Sequence, residues 1–280
     1  MSRKEIEELQ TLLKALDIRL KNDEITEHEY ETIKMKYQAQ LEEQMAVVKE
    51  NSFLKDLSYV SISGSGKVTD SYVSISGSGR VEGWRGGSIS ISGSGKITDD
   101  EIKISGSGSL PGDMVTQKLK VSGALKVGGA LETEQLMSSG SLKIEGPLTV
   151  TEKLSISGSG KIEGDINAHG AMVSTSGALK AEGNLACNEA EMNGSYTIEG
   201  NVDCSGSFRS ELSGKSRIEG HLSADGDVYI EQDRSSASLK VESIYAKGKV
   251  YLEGVKAQLV QGTSVELGPD CVIEKVEEKG

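Results

Sequence analysis

The residue types that most often carry chemistry are few and scattered in this chain. The histidines and cysteines are His28, His169, His221, Cys187, Cys204 and Cys271. Their spacing forms no catalytic triad, no HExxH motif and no metal-ligand cluster, and no carboxylate constellation is expected beside His169 or His221. The sequence therefore predicts no catalytic, cofactor-binding or metal site, and it indicates a protein that is not an enzyme.

A glycine-rich phrase could in principle cradle a phosphate. Gly-Ser-Gly recurs along the chain, but no Gly-x-x-x-x-Gly-Lys-Ser/Thr occurs and no helix follows to supply its amino terminus. A calcium-binding β-roll would need Asp after Gly-x-Gly in each turn, and this chain has Lys, Arg or Ser there. Neither ligand is expected.

The same phrase is the main structural signal. Residues 62–68 read Ile-Ser-Gly-Ser-Gly-Lys-Val, and close copies follow at 75–81, 91–97, 104–110 and 156–162. From Tyr59 onward, aliphatic residues and glycines share one parity while serines and lysines share the other, which is typical of strands with one buried face. Glycines on the buried face are expected at corners, where a side chain would not fit.

The spacing of these glycines predicts a stack of rungs. Gly106, Gly123, Gly140, Gly158, Gly177, Gly194 and Gly214 follow at steps of 17, 17, 18, 19, 17 and 20 residues. This period suits a three-sided parallel β-helix of about twelve rungs. The earlier steps of 13, 16 and 13 residues leave open whether those rungs are narrower or differently closed. Cys187 and Cys204, one repeat apart, are predicted to be stacked core residues.

Charged residues follow the same period. Lys143/Glu145, Lys161/Glu163, Lys180/Glu182 and Arg217/Glu219 flank one inward residue in each repeat. Stacking would place a basic column beside an acidic column, which predicts a compensated, solvated face. A charged track for a partner protein is the alternative.

Composition divides the chain into three regions. Residues 1–57 are charged and lack glycine, residues 58–224 carry the regular repeats, and residues 225–280 read as a variant carboxy-terminal section of the β-helix. In the first region, apolar stripes predict two helices in a hairpin, the second starting at a Thr26/Glu29 capping box. The hairpin is expected to cap the β-helix, to oligomerise in coiled-coil fashion, or to lie on its own chain. Its candidate contact residues are Leu9, Leu13, Leu16, Tyr37 and Leu41.

Charge and hydropathy restrict the partners. The net charge of −12 disfavours nucleic acid and anionic membranes. No stretch approaches the length of a transmembrane segment, and the first residues lack the apolar core of a signal peptide. A cytoplasmic location is expected.

A parallel β-helix leaves unpaired backbone and core residues at its ends. Pairing of like ends would close two-fold contacts, and alternating the two contacts would build a filament without nucleotide. The partner expected from this reasoning is another copy of the chain, and a client protein cannot be identified. The candidate residues at the ends are Tyr59, Val60, Ile62, Val265, Leu267, Val272 and Ile273.

Two family resemblances support this hypothesis. The phrases Ile-Ser-Gly-Ser-Gly-Lys-Val/Ile, Leu-Lys-Val-x-Gly and Ile162-Glu-Gly-Asp-Ile166 resemble the repeats of bactofilins, the polymer-forming cytoskeletal proteins. This resemblance implies a right-handed triangular β-helix that assembles end to end into scaffolds for cell shape, motility or protein positioning. Residues 25–30, Ile-Thr-Glu-His-Glu-Tyr, with Lys36 resemble the short helical SHOCT module, without its usual turn glycine.

The chain departs from the usual bactofilin pattern in its long solenoid and its helical amino-terminal region, so the helices are expected to bear on polymerisation. The first alternative is a β-helical interaction scaffold that does not polymerise. A more remote one is a hexapeptide-type acyltransferase, suggested by steps of six from Ile144 to Ala168 but lacking the catalytic histidine.

Overall fold

The structure, a computed structural model, describes residues 12–13, 15–16, 18–22, 25–27, 29–31, 33–38, 40, 57–69, 71–84 and 87–279. The chain divides into two compact units, Met1–Lys55 and Asp56–Gly280. The first contains the helices and the second contains every described strand.

The first unit shows the predicted helical periodicity. Described helical residues fall within 12–21 and 27–40. Leu16 and Tyr30 are buried, whereas Ile18 and Met35 on other faces are exposed. The predicted capping box is present: the backbone N–H of Thr26 donates to Glu29 Oε2 (2.9 Å), and the N–H of Glu29 donates to Thr26 Oγ1 (3.3 Å). These bonds satisfy amide groups that the first helical turn leaves without intrahelical partners.

The described residues of the second unit form 26 strands. In chain order they are β1 (Tyr59–Thr69), β2 (Tyr72–Glu82), β3 (Ser88–Thr98), β4 (Glu101–Ile104), β5 (Ser107–Leu110), β6 (Met114–Val121), β7 (Ala124–Val127), β8 (Leu131–Ser138), β9 (Ser141–Ile144), β10 (Leu148–Ile156), β11 (Ser159–Ile162), β12 (Ile166–Thr175), β13 (Ala178–Ala181), β14 (Leu185–Met192), β15 (Ser195–Ile198), β16 (Val202–Cys204), β17 (Phe208–Leu212), β18 (Lys215–Ile218), β19 (His221–Ala224), β20 (Val228–Gln232), β21 (Ser238–Lys240), β22 (Ser243–Ala246), β23 (Lys249–Leu252), β24 (Val255–Gly262), β25 (Ser264–Leu267) and β26 (Val272–Glu278).

From β4 onward the strands form a parallel solenoid with three sides. The first side runs from β4 through the second halves of β6, β8, β10, β12 and β14 to β17, β20, β23 and β25. The second side runs from β5 through β7, β9, β11, β13, β15, β18 and β21 to the first halves of β24 and β26. The third side runs from the first half of β6 through those of β8, β10, β12 and β14, then β16, β19 and β22, to the second halves of β24 and β26.

The described part of the chain is mostly β, with 64% of the described residues in strands, and the solenoid has about ten turns. The predicted β-solenoid with a small helical piece is confirmed, whereas the estimate of about twelve rungs is too high. The carboxy-terminal section continues the same three sides up to β26.

The solenoid has fewer turns than predicted because the first copies of the repeated phrase do not form parallel rungs. For these copies the prediction of parallel pairing is wrong. β1, β2 and β3 are 11-residue strands that pair antiparallel with one another. β3 then pairs antiparallel with both β4 and β5, so each long strand covers the first and second sides together. Only two residues separate β1 from β2 and β3 from β4, and so short a connection closes a hairpin but cannot make a parallel crossover.

Glycine forms the corner between the first and second sides, as the sequence predicts. A Cβ on Gly123, Gly140, Gly158 or Gly177 would overlap the carbonyl oxygen of the corner glycine one rung below. That oxygen is also a hydrogen-bond acceptor: the carbonyl of Gly123, for example, accepts a hydrogen bond from the N–H of Ser141 (2.8 Å). Gly64, Gly77 and Gly93 bend the long strands at the equivalent point with φ of 107°, 124° and 102°, a region that favours glycine.

The core fills the space beside each corner by pairing large and small residues. In some rungs an isoleucine precedes the corner and a glycine follows the corner, as with Ile156 and Gly160. A Cβ on Gly160 would lie 3.1 Å from the Ile156 Cδ1. Other rungs reverse the sizes, as with Ser138 and Leu142, both buried. Since protein cores are close-packed, this exchange keeps the volume at the corner filled.

Candidate functional site

The amino-terminal end of the solenoid unit is the strand β1. Among the described strands it pairs only with β2, so its other edge has no strand partner there. Tyr59 and Val68 are 52% and 47% exposed, and Val60 and Ile62 are partly exposed. In β2 the residues corresponding to Val60, Ile62 and Val68 are buried because β2 has a neighbour on each edge, whereas Tyr72, which corresponds to Tyr59, is partly exposed. An edge of this kind offers both backbone groups and apolar side chains to a further strand.

At this end the long strands β1–β3 cover the first and second sides but not the third. The third side begins at Met114, which is buried. A Cβ on Gly87 would lie 3.3 Å from the Met114 Cε, and the neighbouring Trp84 is only 1% exposed. Gly87, which immediately precedes β3, therefore lies against Met114 at the start of the third side.

The carboxy-terminal end is the rung formed by β25 and β26. Val265 and Leu267 stack on Val250 and Leu252, and Ile273 and Val276 stack on Ala257 and Val260. The lower residues are buried, but Leu267 and Val276 are 43% and 42% exposed, and Val265 and Ile273 are partly exposed. The last rung therefore presents one layer of core side chains to solvent.

The residues predicted to mediate self-association lie at these two ends and in the helices. Tyr59, Val60 and Ile62 are on β1, Val265 and Leu267 on β25, and Val272 and Ile273 on β26. Leu13, Leu16 and Tyr37 are helical, and Leu9 and Leu41 fall outside the described residues. Their role in contacts between copies remains a prediction.

Two end residues were missed by sequence reasoning. Val68 and Val276 are exposed core positions of the terminal strands. The alternation of apolar residues in β1 was the signal for Val68. Val276 could be identified only from its register with Val260. Val272, in contrast, points to the flank, where it stacks on Lys256.

The charged columns on the second side form the compensated face that the repeat predicts. Lys126, Lys143, Lys161 and Lys180 alternate with Glu145, Glu163, Glu182 and Glu199 in a continuous ladder of ion pairs at 2.6–3.1 Å. Hydrogen bonds from Lys126 and Lys143 lower the pKa of Glu145 to about 2. Lys143, Lys161 and Lys180 are each held between the carboxylates of two rungs, and Lys126 pairs with Glu145 alone, so the two columns neutralise each other.

The histidines and cysteines form no reactive group among the described residues. Cys187 and Cys204 are stacked as predicted, with their Sγ atoms 3.3 Å apart in the core. A hydrogen bond with Cys187 and burial raise the pKa of Cys204, and a thiol held protonated is a poor nucleophile.

The expectation that no carboxylate lies beside His221 is wrong. Its Nε2 is 3.3 Å from the Oδ1 of Asp203, one rung below. The Ser223 hydroxyl donates to that same oxygen (2.8 Å). Because the serine contacts the aspartate, this is not the Ser–His–Asp relay of a hydrolase. No group of three or more potential metal ligands occurs in the described part of the chain.

Grooves on the outer face of β1–β3 are lined by neither histidine nor a carboxylate. One groove lies on each side of the glycine bend, and serine and glycine dominate both linings, with Arg80 in one and Lys96 and Lys103 in the other. The Gly-Ser-Gly phrases lie within this sheet or at solenoid corners, and none opens a helix.

No described helix is long and apolar enough to cross a membrane.

Comparison with known proteins adds one finding. Neither the curated proteins nor the solved structures contain a significant match to this chain. Residues 136–238, from β8 to β21, match the family model for bactofilins, described as polymer-forming cytoskeletal. The middle of the β-solenoid is therefore similar to the bactofilin family, and this match and the fold together support a role as a cytoskeletal scaffold.

Proposed function

We propose that this chain is a structural protein that assembles with itself end to end, through β1 and through the rung formed by β25 and β26, without nucleotide. The observation that carries the proposal is the exposure of core side chains at both ends. Leu267 and Val276 at one end, and Val68 at the other, would each be buried by another copy. Contacts that join like ends are two-fold, and alternating them propagates a filament.

The long side walls suit a scaffold better than an enzyme. The Lys–Glu ladder is internally neutralised, and the serine-lined grooves contain neither histidine nor a carboxylate. We propose that the filament positions other molecules or supports cell shape or motility. We further propose that it acts in the cytoplasm, and a client protein would bind its flanks.

A pair of matched valine variants tests the end-to-end contact. Val276 lies on the terminal rung, whereas Val115, 48% exposed, lies on the first turn of the third side, away from that rung. We expect Val276→Glu to shorten or abolish assemblies in sedimentation velocity and negative-stain electron microscopy, because a buried unpaired carboxylate at the contact is costly. Val115→Glu should leave the assemblies unchanged.

Two outcomes would overturn the proposal. One is a wild-type chain that sediments only as a monomer across concentration and salt, which would favour the non-polymerising scaffold. The other is an equal effect of Val276→Glu and Val115→Glu on assembly.

The helical region has its own test. We propose that residues 1–57 influence assembly without being needed for the solenoid to fold. A truncated chain should keep the β-sheet circular dichroism spectrum and show a different distribution of sizes. An unchanged distribution would contradict a role for the helices in assembly.

A further inference from the structure

The four amino-terminal copies of the repeated phrase pair with one another in a single register. In β1 and β2, Ile62 lies opposite Gly79 and Gly64 lies opposite Gly77. In β2 and β3, Ile75 lies opposite Gly95 and Gly77 opposite Gly93. The fourth copy follows the same rule, with Ile91 of β3 opposite Gly108 of β5. At each interface the isoleucine of one copy meets the second glycine of the next.

This register is symmetric in the repeat. Each phrase has a central glycine, which lies opposite the central glycine of its neighbour, and residues at equal distances on either side pair with each other. Two copies of one sequence in this arrangement are related by a two-fold axis at the central glycine. The chain therefore contains two successive approximate two-fold contacts between near-identical strands, and β3 makes a third contact of the same register with β4 and β5 together.

The strand β2 shows that both edges of the phrase accept this contact. It pairs with β1 on one edge and with β3 on the other, in equivalent registers. The sequence of β1, YVSISGSGKVT, differs from that of β2, YVSISGSGRVE, only at its last residues, at Lys67 and Thr69. The edge of β1 that has no described strand partner is thus nearly identical in sequence to the edge of β2 that pairs with β3.

We propose that β1 pairs antiparallel with β1 of a second copy of this chain, about a two-fold axis at Gly64. This inference rests on the proposed end-to-end assembly and specifies its amino-terminal contact. Ile62 would lie opposite Gly66 of the second copy, Val60 opposite Val68, and Ser63 opposite Ser65. The contact would continue the internal series of pairings across two molecules.

The chemistry of the strand fits this partner. The exposed Val68 of β1 and the partly exposed Val60 and Ile62 would gain the neighbours that bury their counterparts in β2. Lys67 would lie opposite Ser61 and not opposite another lysine, which avoids the cost of like charges directly across a strand pair. The isoleucine meets a glycine, as it does at each internal interface.

Four variants that each introduce one cysteine into β1 test the register. Ser61, Ser63, Ser65 and Lys67 are all exposed on one face of β1. In a Cys271→Ser background of the full chain, each is changed to Cys, and variants with different mass tags are mixed in pairs and oxidised mildly. The two native cysteines that remain, Cys187 and Cys204, are buried.

Two mixtures are in register and two are not. Ser61→Cys with Lys67→Cys, and Ser63→Cys with Ser65→Cys, place the cysteines directly opposite. Ser61→Cys with Ser65→Cys, and Ser63→Cys with Lys67→Cys, use the same four proteins but are offset by two residues. Directly opposed Cβ atoms are roughly 5 Å apart and offset ones are farther apart, while a disulfide needs roughly 4 Å. We therefore expect several-fold more mixed disulfide dimer from the first two mixtures on non-reducing gels.

Each variant appears in one mixture of each kind, so a folding defect cannot mimic the pattern. Equal yields from the four mixtures would overturn the proposal. Filaments that form without the in-register disulfides would overturn this contact but leave end-to-end assembly intact. A chain that neither assembles nor cross-links would refute both.

Discussion

The corner between the first and second sides gives the sharpest test of how this fold is held. Replacing Gly140 with Ala would place a Cβ against the corner glycine one rung below, 2.7 Å from the Gly123 carbonyl carbon and 2.9 Å from the Ser122 oxygen. These are backbone atoms, so no side chain can rotate away to make room. The overlap is expected to push the two rungs apart locally.

The cost can be estimated from two contributions. Forcing an extra carbon into a packed site typically costs about 1–3 kcal/mol. Moving the Gly123 oxygen also weakens the hydrogen bond it accepts from the N–H of Ser141 (2.8 Å), which contributes about 1 kcal/mol. The total is about 2–4 kcal/mol, and for a unit of this size it would lower Tm by roughly 5 to 15 °C.

Gly112 provides the matched control. A Cβ there would meet nothing within 4 Å. Both changes to Ala restrict the unfolded chain equally, so the difference between the two variants isolates the contact. Urea and thermal unfolding followed by circular dichroism measure it. If Gly140→Ala stays within about 0.5 kcal/mol of wild type, or if Gly112→Ala loses as much, the account of the corner is wrong.

Three further predictions concern the core, the flank and assembly. Tyr196 and Ser210 are buried with their hydroxyl oxygens 3.1 Å apart, so Tyr196→Phe should cost about 1 kcal/mol in urea unfolding, whereas Tyr229→Phe on the surface should cost little. The pKa of Glu145 is about 2, below its usual 4.5. The stabilising contribution of this carboxylate is therefore present above pH 4.5 and is lost as the pH falls towards 2. Lys143→Met should raise the pKa of Glu145 in an NMR titration, while Lys153→Met, at an exposed position, should not. With a net charge of −12, self-association should strengthen from low to moderate salt as repulsion is screened, and light scattering that falls instead would contradict this.

Much of the fold could be predicted from the sequence because its signals are local. Parity decides which residues of a strand face the core, and this identified Ile156 and Leu154 as buried. The 17-residue spacing of Cys187 and Cys204 predicted their stacking, since each turn of the solenoid returns the chain to the same side. The Lys–Glu columns followed from the same periodicity.

The direction of the first strands could be predicted only by attending to the connections. Steps of 13 residues equal an 11-residue strand and a two-residue turn, and such a turn favours a hairpin over a solenoid rung. The carboxylate beside His221 was missed because Asp203 lies 18 residues away in sequence, and only the register of neighbouring rungs brings the two together.

The sequence by itself determined which face of each strand is buried and where the chain bends, because both depend on residue type at a fixed spacing. Only the tertiary structure decided that the same phrase serves as an antiparallel strand in its first three copies and as part of a parallel rung in the fifth. The phrase specifies a bent strand with one apolar face, and that strand can pair in either direction. The length of the connection and the neighbouring strand select the direction, and thereby determine which edge is left at the end of the stack.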